Sequence, residues 1–102
     1  MANLTGPKDV KGKPDWSLIP LDAVEFVIPA FEYGKIHYKK KNTFRNGIVH
    51  GKLIAAAIRH ITLWYWRKEE FASDSKVHHL ASAVANLLMV ICNLKLVGCD
   101  DR

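Results

Sequence analysis

A repeat of apolar residues near the C-terminal end limits this chain more than any other feature. Val77, Leu80, Ala81, Val84, Leu87, Leu88 and Ile91 recur at helical spacing, which predicts a helix from about Ser75 to Lys95. Against them, His79, Ser82, Asn86 and Asn93 stand at i, i+3, i+7 and i+14, one narrow polar stripe on an otherwise apolar helix. Ser73 or Asp74 is placed to cap its start. A second apolar stretch, from about Val49 to Arg67, contains no proline and closes on Trp64, Tyr65 and Trp66. Because it is apolar on most sides, it is expected to be the central, most buried helix.

Ahead of these, Pro20 suits the first turn of a helix, with Asp22 near the positive end of its dipole. Val24, Val27, Ile28, Phe31 and Tyr38 continue that helix, which Pro29 is expected to kink or split and Gly34 to weaken. Residues 40–47 read as a polar loop with Asn42 and Asn46-Gly47 as turn formers. No β-strand period competes. The fold class is therefore all-α, a helical bundle of three principal helices per chain. Three helices carry more apolar surface than they can bury alone, so oligomerisation, as a dimer or higher assembly, is expected to complete the bundle. The organisation read from the chain is a flexible N-terminal arm over 1–16, a helical domain over 17–96 and a C-terminal tail over 97–102.

Composition narrows the function classes. With 102 residues, 49% apolar and 25% charged, the chain matches an ordinary globular domain and excludes disordered, collagen-like and disulfide-scaffold classes. It also excludes a large multi-layer enzyme. The formal net charge of +5 favours anionic partners such as nucleotides or nucleic acid. The basic excess concentrates in Lys35, Lys39, Lys40, Lys41 and Arg45, whereas Glu69 to Asp74 is acidic. Cys92 lies within an apolar run and reads as a reduced core thiol. No apolar run is long enough to span a bilayer, so no membrane partner is expected, and the expected location is cytoplasmic.

Several residues could carry chemistry. Glu69, Glu70 and Asp74 precede His78 and His79, a sequence-local set of carboxylates and imidazoles that suits a divalent cation and equally suits a charged, capped turn. Arg59-His60 sits within an apolar helix, where an arginine must reach solvent, a carboxylate or a phosphate. His60 suits metal, proton or core-packing roles. The basic run from Lys39 to Arg45 could hold a triphosphate, hold a nucleic-acid backbone, or simply solubilise the loop. No Walker-type glycine loop, nucleophile elbow or zinc spacing occurs.

Taken together, Lys13-Pro14, Leu18-Ile19-Pro20, Tyr33-Gly34, Tyr38, Asn42, Ala56-Ala57-Ile58-Arg59-His60, Trp64, Glu69, Asp74-Ser75, His78-His79-Leu80-Ala81 and Asn86-Leu87-Leu88 form a recognisable series. It resembles the phage dATP/dGTP diphosphohydrolase N-terminal domain family, MazG-like all-α nucleotide pyrophosphohydrolases, over about residues 11–95. The resemblance implies an oligomeric enzyme using Mg²⁺ (or Mn²⁺) to cleave a purine deoxynucleoside triphosphate to the monophosphate and pyrophosphate. A phage-encoded member would act in the host cell cytoplasm. By position, the resemblance implies Glu69, Asp74 and His79 as metal ligands, and His60 and Asn86 as catalytic residues. Arg59, with Lys35 and His37 in the basic stretch, would contact phosphate. The chain departs from the family pattern at Ala72, Ser82, His37 and Thr43-Phe44, each a lost charge or donor. A small basic nucleic-acid-binding or interaction protein that keeps the fold without catalysis is the alternative.

Overall fold

A computed structural model describes residues 6–9 and 11–102 of the chain. The other residues of the expected N-terminal arm, 1–5 and 10, lie outside the described residues. Four α-helices follow one another: α1 (Leu21–Glu25), α2 (Ile28–His37), α3 (His50–Tyr65) and α4 (His79–Cys92). Short 3₁₀ turns at Trp16–Leu18 and Thr43–Asn46 punctuate them. Among the described residues there is no strand, only an isolated antiparallel bridge between Phe71 and His78. No described helix is long and apolar enough to cross a membrane.

The break expected at Pro29 falls earlier, between α1 and α2, and Pro29 sits in the first turn of α2. A proline's missing N–H costs nothing there, because the first-turn donors have no intrahelical acceptor. The proline therefore starts a helix instead of kinking one, and Gly34 is carried within it. The connection to α3 turns through left-handed Lys39 (φ 58°) and Asn42 (φ 59°) and buries Phe44.

Helix α3 has no side-chain cap of its own. The C-terminal tail supplies one: Cys99 C=O accepts from His50 N–H at 2.8 Å, and the Asp101 carboxylate accepts from Gly51 N–H at 3.0 Å. A Cβ on Gly51 would collide with that carboxylate, so glycine is what lets the tail approach.

Helix α4 starts later than its apolar period implies. Neither Ser73 nor Asp74 caps it; the His78 ring does, its Nδ1 accepting from Leu80 N–H at 3.0 Å. Residues 72–77 are instead used in a tight turn, closed by Ala72 N–H to Val77 C=O at 2.9 Å and by left-handed Lys76. Asp74 serves that turn by accepting from Ser75 N–H at 2.8 Å. At the other end, buried Asn93 donates through Nδ2 to Phe44 C=O at 2.8 Å, which ties α4 to the loop before α3.

Helices α3 and α4 form an antiparallel pair, and small residues let α4 approach its neighbours on more than one side. Ala57, Ala81, Ala83 and Ala85 are all buried. Because α4 also packs against α2 and the 43–46 turn, α4 is the central helix, not α3 as the apolar count implied. The outer face of α3, with Ile54, Ile58, Ile61 and Tyr65, is open, and so are Val84, Leu88 and Ile91 on α4. The expected core thiol is likewise displaced: Cys92 is exposed, whereas Cys99, in the tail that caps α3, is buried, and both are free. The accessible surface of 8613 Å² compares with about 5,800 Å² for a compact monomer of this mass.

Candidate functional site

Where the C-terminal half of α3 meets the first turn of α4, three side chains form a hydrogen-bonded line. Glu69 Oε1 lies 2.9 Å from His79 Nε2, and His79 Nδ1 lies 2.8 Å from His60 Nδ1. His79 is 1% exposed, the largest fully buried side chain described. Its position follows from local structure, because His79 N–H donates to Glu70 C=O at 3.0 Å and fixes the ring behind the 69–78 turn.

The partners assign the protons. The Glu69 carboxylate can only accept, so His79 carries a proton on Nε2; with one proton on each ring, its Nδ1 is then the acceptor towards His60. In that tautomer His60 donates from Nδ1 and keeps the lone pair of its Nε2. That Nε2 makes no hydrogen bond among the described residues and is not buried. Partial burial, followed by the nearby Arg59 and His79, lowers the His60 pKa below its ordinary value, and Asp74 opposes the shift. The ring is thus held neutral, as a base or ligand requires. The Asp74 carboxyl is also lowered, first by the Ser75 N–H and further by Arg59 and His60, so it is ionised beside them.

Beside this line runs a second glutamate–histidine pair. Glu70 Oε2 meets His78 Nε2 at 2.9 Å and also accepts from Trp64 Nε1 at 3.3 Å. Phe26 and Phe71 meet the His78 ring edge-on at centroid distances of 5.0 and 5.5 Å. With Nδ1 already bonded to Leu80 N–H, His78 has no free nitrogen.

Of the residues the sequence singled out, Glu69, His79 and His60 are joined by hydrogen bonds here, and Arg59 and Asp74 are near enough to His60 for their charges to shift its pKa. The other three do not. Asn86 is about two helical turns, ~10 Å, along α4 from His79, where its Nδ2 donates to Ser82 C=O at 2.8 Å. Lys35 lines a groove with Asn86. His37, at the end of α2, stacks on Tyr33 with centroids 5.5 Å apart. Sequence reasoning missed the direct His60–His79 contact, although their positions on two apolar helices were its only available signal.

Among the described residues no group of three or more His, Cys, Asp or Glu side chains is arranged to hold a metal ion. Both His79 nitrogens are engaged, so in this arrangement His79 has no lone pair for a cation. Glu69 Oε2 and Asp74 Oδ2, however, accept no hydrogen bond among the described residues. Hard carboxylate oxygens fit Mg²⁺, which commonly takes one or two carboxylates and completes its shell with water and substrate phosphate.

A family model described as dATP/dGTP diphosphohydrolase, N-terminal, matches residues 3–102. No curated protein and no solved structure matches the chain. With nearly its whole length matched and an all-helical fold in hand, the chain belongs to the dATP/dGTP diphosphohydrolase N-terminal family.

Proposed function

We propose that this chain is a metal-dependent nucleotide pyrophosphohydrolase that cleaves a purine deoxynucleoside triphosphate to the monophosphate and pyrophosphate. The observation that carries the proposal is the Glu69–His79–His60 line, which in the tautomer with one proton on each ring leaves an unbonded Nε2 on His60 within the charge field of Arg59 and an ionised Asp74.

In the proposed reaction a water oxygen bonds to the α-phosphorus as the bond to the bridging oxygen breaks and pyrophosphate departs. His60 Nε2 accepts the water proton. His79, backed by Glu69, holds the imidazole in the tautomer that can accept it and shares the resulting positive charge. Arg59 offers a planar set of donors to phosphate oxygens as negative charge builds on them. A free carboxylate oxygen, Glu69 Oε2 or Asp74 Oδ2, would hold Mg²⁺ or Mn²⁺, with water and substrate phosphate completing its shell. The cation would supply charge neutralisation on the phosphates and a lowered pKa for a bound water.

The same reading takes the working form to be a homo-oligomer. The faces of α3 and α4 expose the large apolar side chains Ile54, Ile58, Ile61, Val84, Leu88 and Ile91, which a second copy would cover. The test is product analysis of dATP, dGTP, dCTP and dTTP incubated with the protein and Mg²⁺ or Mn²⁺. Pyrophosphate and a monophosphate, lost in Asp74→Ala with helicity retained, are the expected result. Absence of product under both metals would overturn the proposal.

A further inference from the structure

A groove of about 620 Å³ lies away from the His60–His79 line, between α2, the loop before α3, and α4. Its volume falls within the range of small-molecule sites. Phe31, Phe44, Leu53 and Met89 make it largely apolar, and Tyr38 adds an aromatic edge. Lys35, Lys40 and Lys41 line it against a single carboxylate, Glu32, giving a positive field over an apolar floor. None of the open residues Ile54, Ile58, Ile61, Tyr65, Val84, Leu88 or Ile91 lines it, so the groove is distinct from the apolar face offered to a second copy.

One polar side chain from α4 contributes to the lining with a defined hydrogen-bond polarity. Asn86 donates its Nδ2 to Ser82 C=O, which presents Oδ1 as an acceptor. An apolar, aromatic-lined slot into which α4 contributes an amide acceptor suits a flat heterocycle bearing an amino group. Leu53 on α3 and Asn86 on α4 are each seven residues from His60 and His79 respectively. Both helices therefore put the groove about two turns, ~10 Å, along the same seam.

We infer that this groove is the nucleobase pocket of the substrate, with Asn86 Oδ1 accepting from the amino group of adenine or guanine. The lysines draw the polyphosphate in by their field, and the triphosphate runs along the α3–α4 seam towards His60. The inference rests on the proposed nucleotide substrate and reassigns Asn86 from bond-breaking chemistry to base selection.

The test is calorimetric binding with Ca²⁺, which separates binding from turnover. The ligands are dGTP against deoxyinosine triphosphate, and dATP against its analogue lacking the 6-amino group. Wild-type protein is expected to favour each amino-bearing nucleotide by about ten- to a hundredfold, and Asn86→Leu to erase the preference. A second variant guards against misfolding. A Cβ at Gly34 would meet nothing within 4 Å, yet Gly34 lines the groove, so Gly34→Leu starts into open space, extends into the groove and replaces a poor helix former. It is expected to weaken both purine nucleotides at least tenfold. Unchanged binding in Gly34→Leu, or an amino preference that is absent in wild type or survives in Asn86→Leu, overturns the inference. Binding with the predicted preference but without turnover supports the pocket and contradicts the hydrolase proposal alone.

Discussion

Glu69–His79 and Glu70–His78 are neighbouring pairs of the same chemistry, each with an Oε–Nε2 separation of 2.9 Å. They do different work because of what the other ring nitrogen meets. In His78, Nδ1 accepts a backbone N–H and caps α4, so every polar valence of the ring is used within the turn. In His79, Nδ1 meets the ring of a third titratable residue on another helix. The first pair ends in the backbone and stabilises a helix start. The second transmits a carboxylate's preference, through a buried ring, to a solvent-facing nitrogen. A glutamate–histidine pair is thus a functional clue only when its far nitrogen is followed to its partner.

The comparison breaks most clearly under substitution. His60→Ala and His79→Gln are each expected to lower kcat by about a hundredfold or more, read in steady-state assays on protein with wild-type helicity. A fall of only a few-fold in either would remove the line from the mechanism. His78→Ala is expected to leave kcat within a few-fold and to cost about 1 kcal/mol of stability in urea unfolding, the usual cost of a lost helix cap. A large loss of kcat there would erase the distinction between the pairs.

Acid titration sharpens the contrast. The folded pKa of His60 lies below its ordinary 6.5. The unfolded chain therefore binds more protons in the window beneath that value, and stability should fall as pH drops through it. Chelator-treated protein should show this dependence in wild type and a shallower one in His60→Ala. Equal slopes would mean that His60 is not held neutral. The smallest effect belongs to Glu70→Gln. The Glu70 carboxylate is largely exposed, so its loss should change stability by only about 0–1 kcal/mol. A larger change would show that the capping pair depends on its charge.

The helical class and the identity of the helices were legible in the apolar periods, which report burial directly. What the α4 stripe hid is that a shared face is not a shared site. A 14-residue helix is about 21 Å long, so His79, Asn86 and Asn93 face different neighbours: His60, the groove, and Phe44 C=O. The start of α4 was illegible because the turn before it runs through left-handed Lys68 and Lys76, and lysine carries no signal for that conformation. The tail cap on α3 joins residues about fifty apart, beyond any local pattern. Arg59, His60, Glu69 and Asp74 were found as a group because residue type and the family pattern pointed to them, while the proton arrangement that gives His60 its free nitrogen required the fold.

That arrangement is measured most directly by ¹⁵N NMR of the imidazole nitrogens at slightly alkaline pH. The account predicts His60 protonated on Nδ1 with a free Nε2, and His78 and His79 both protonated on Nε2. Finding the His60 proton on Nε2 would leave no base facing the solvent and would contradict the proposed role of the Glu69–His79–His60 line.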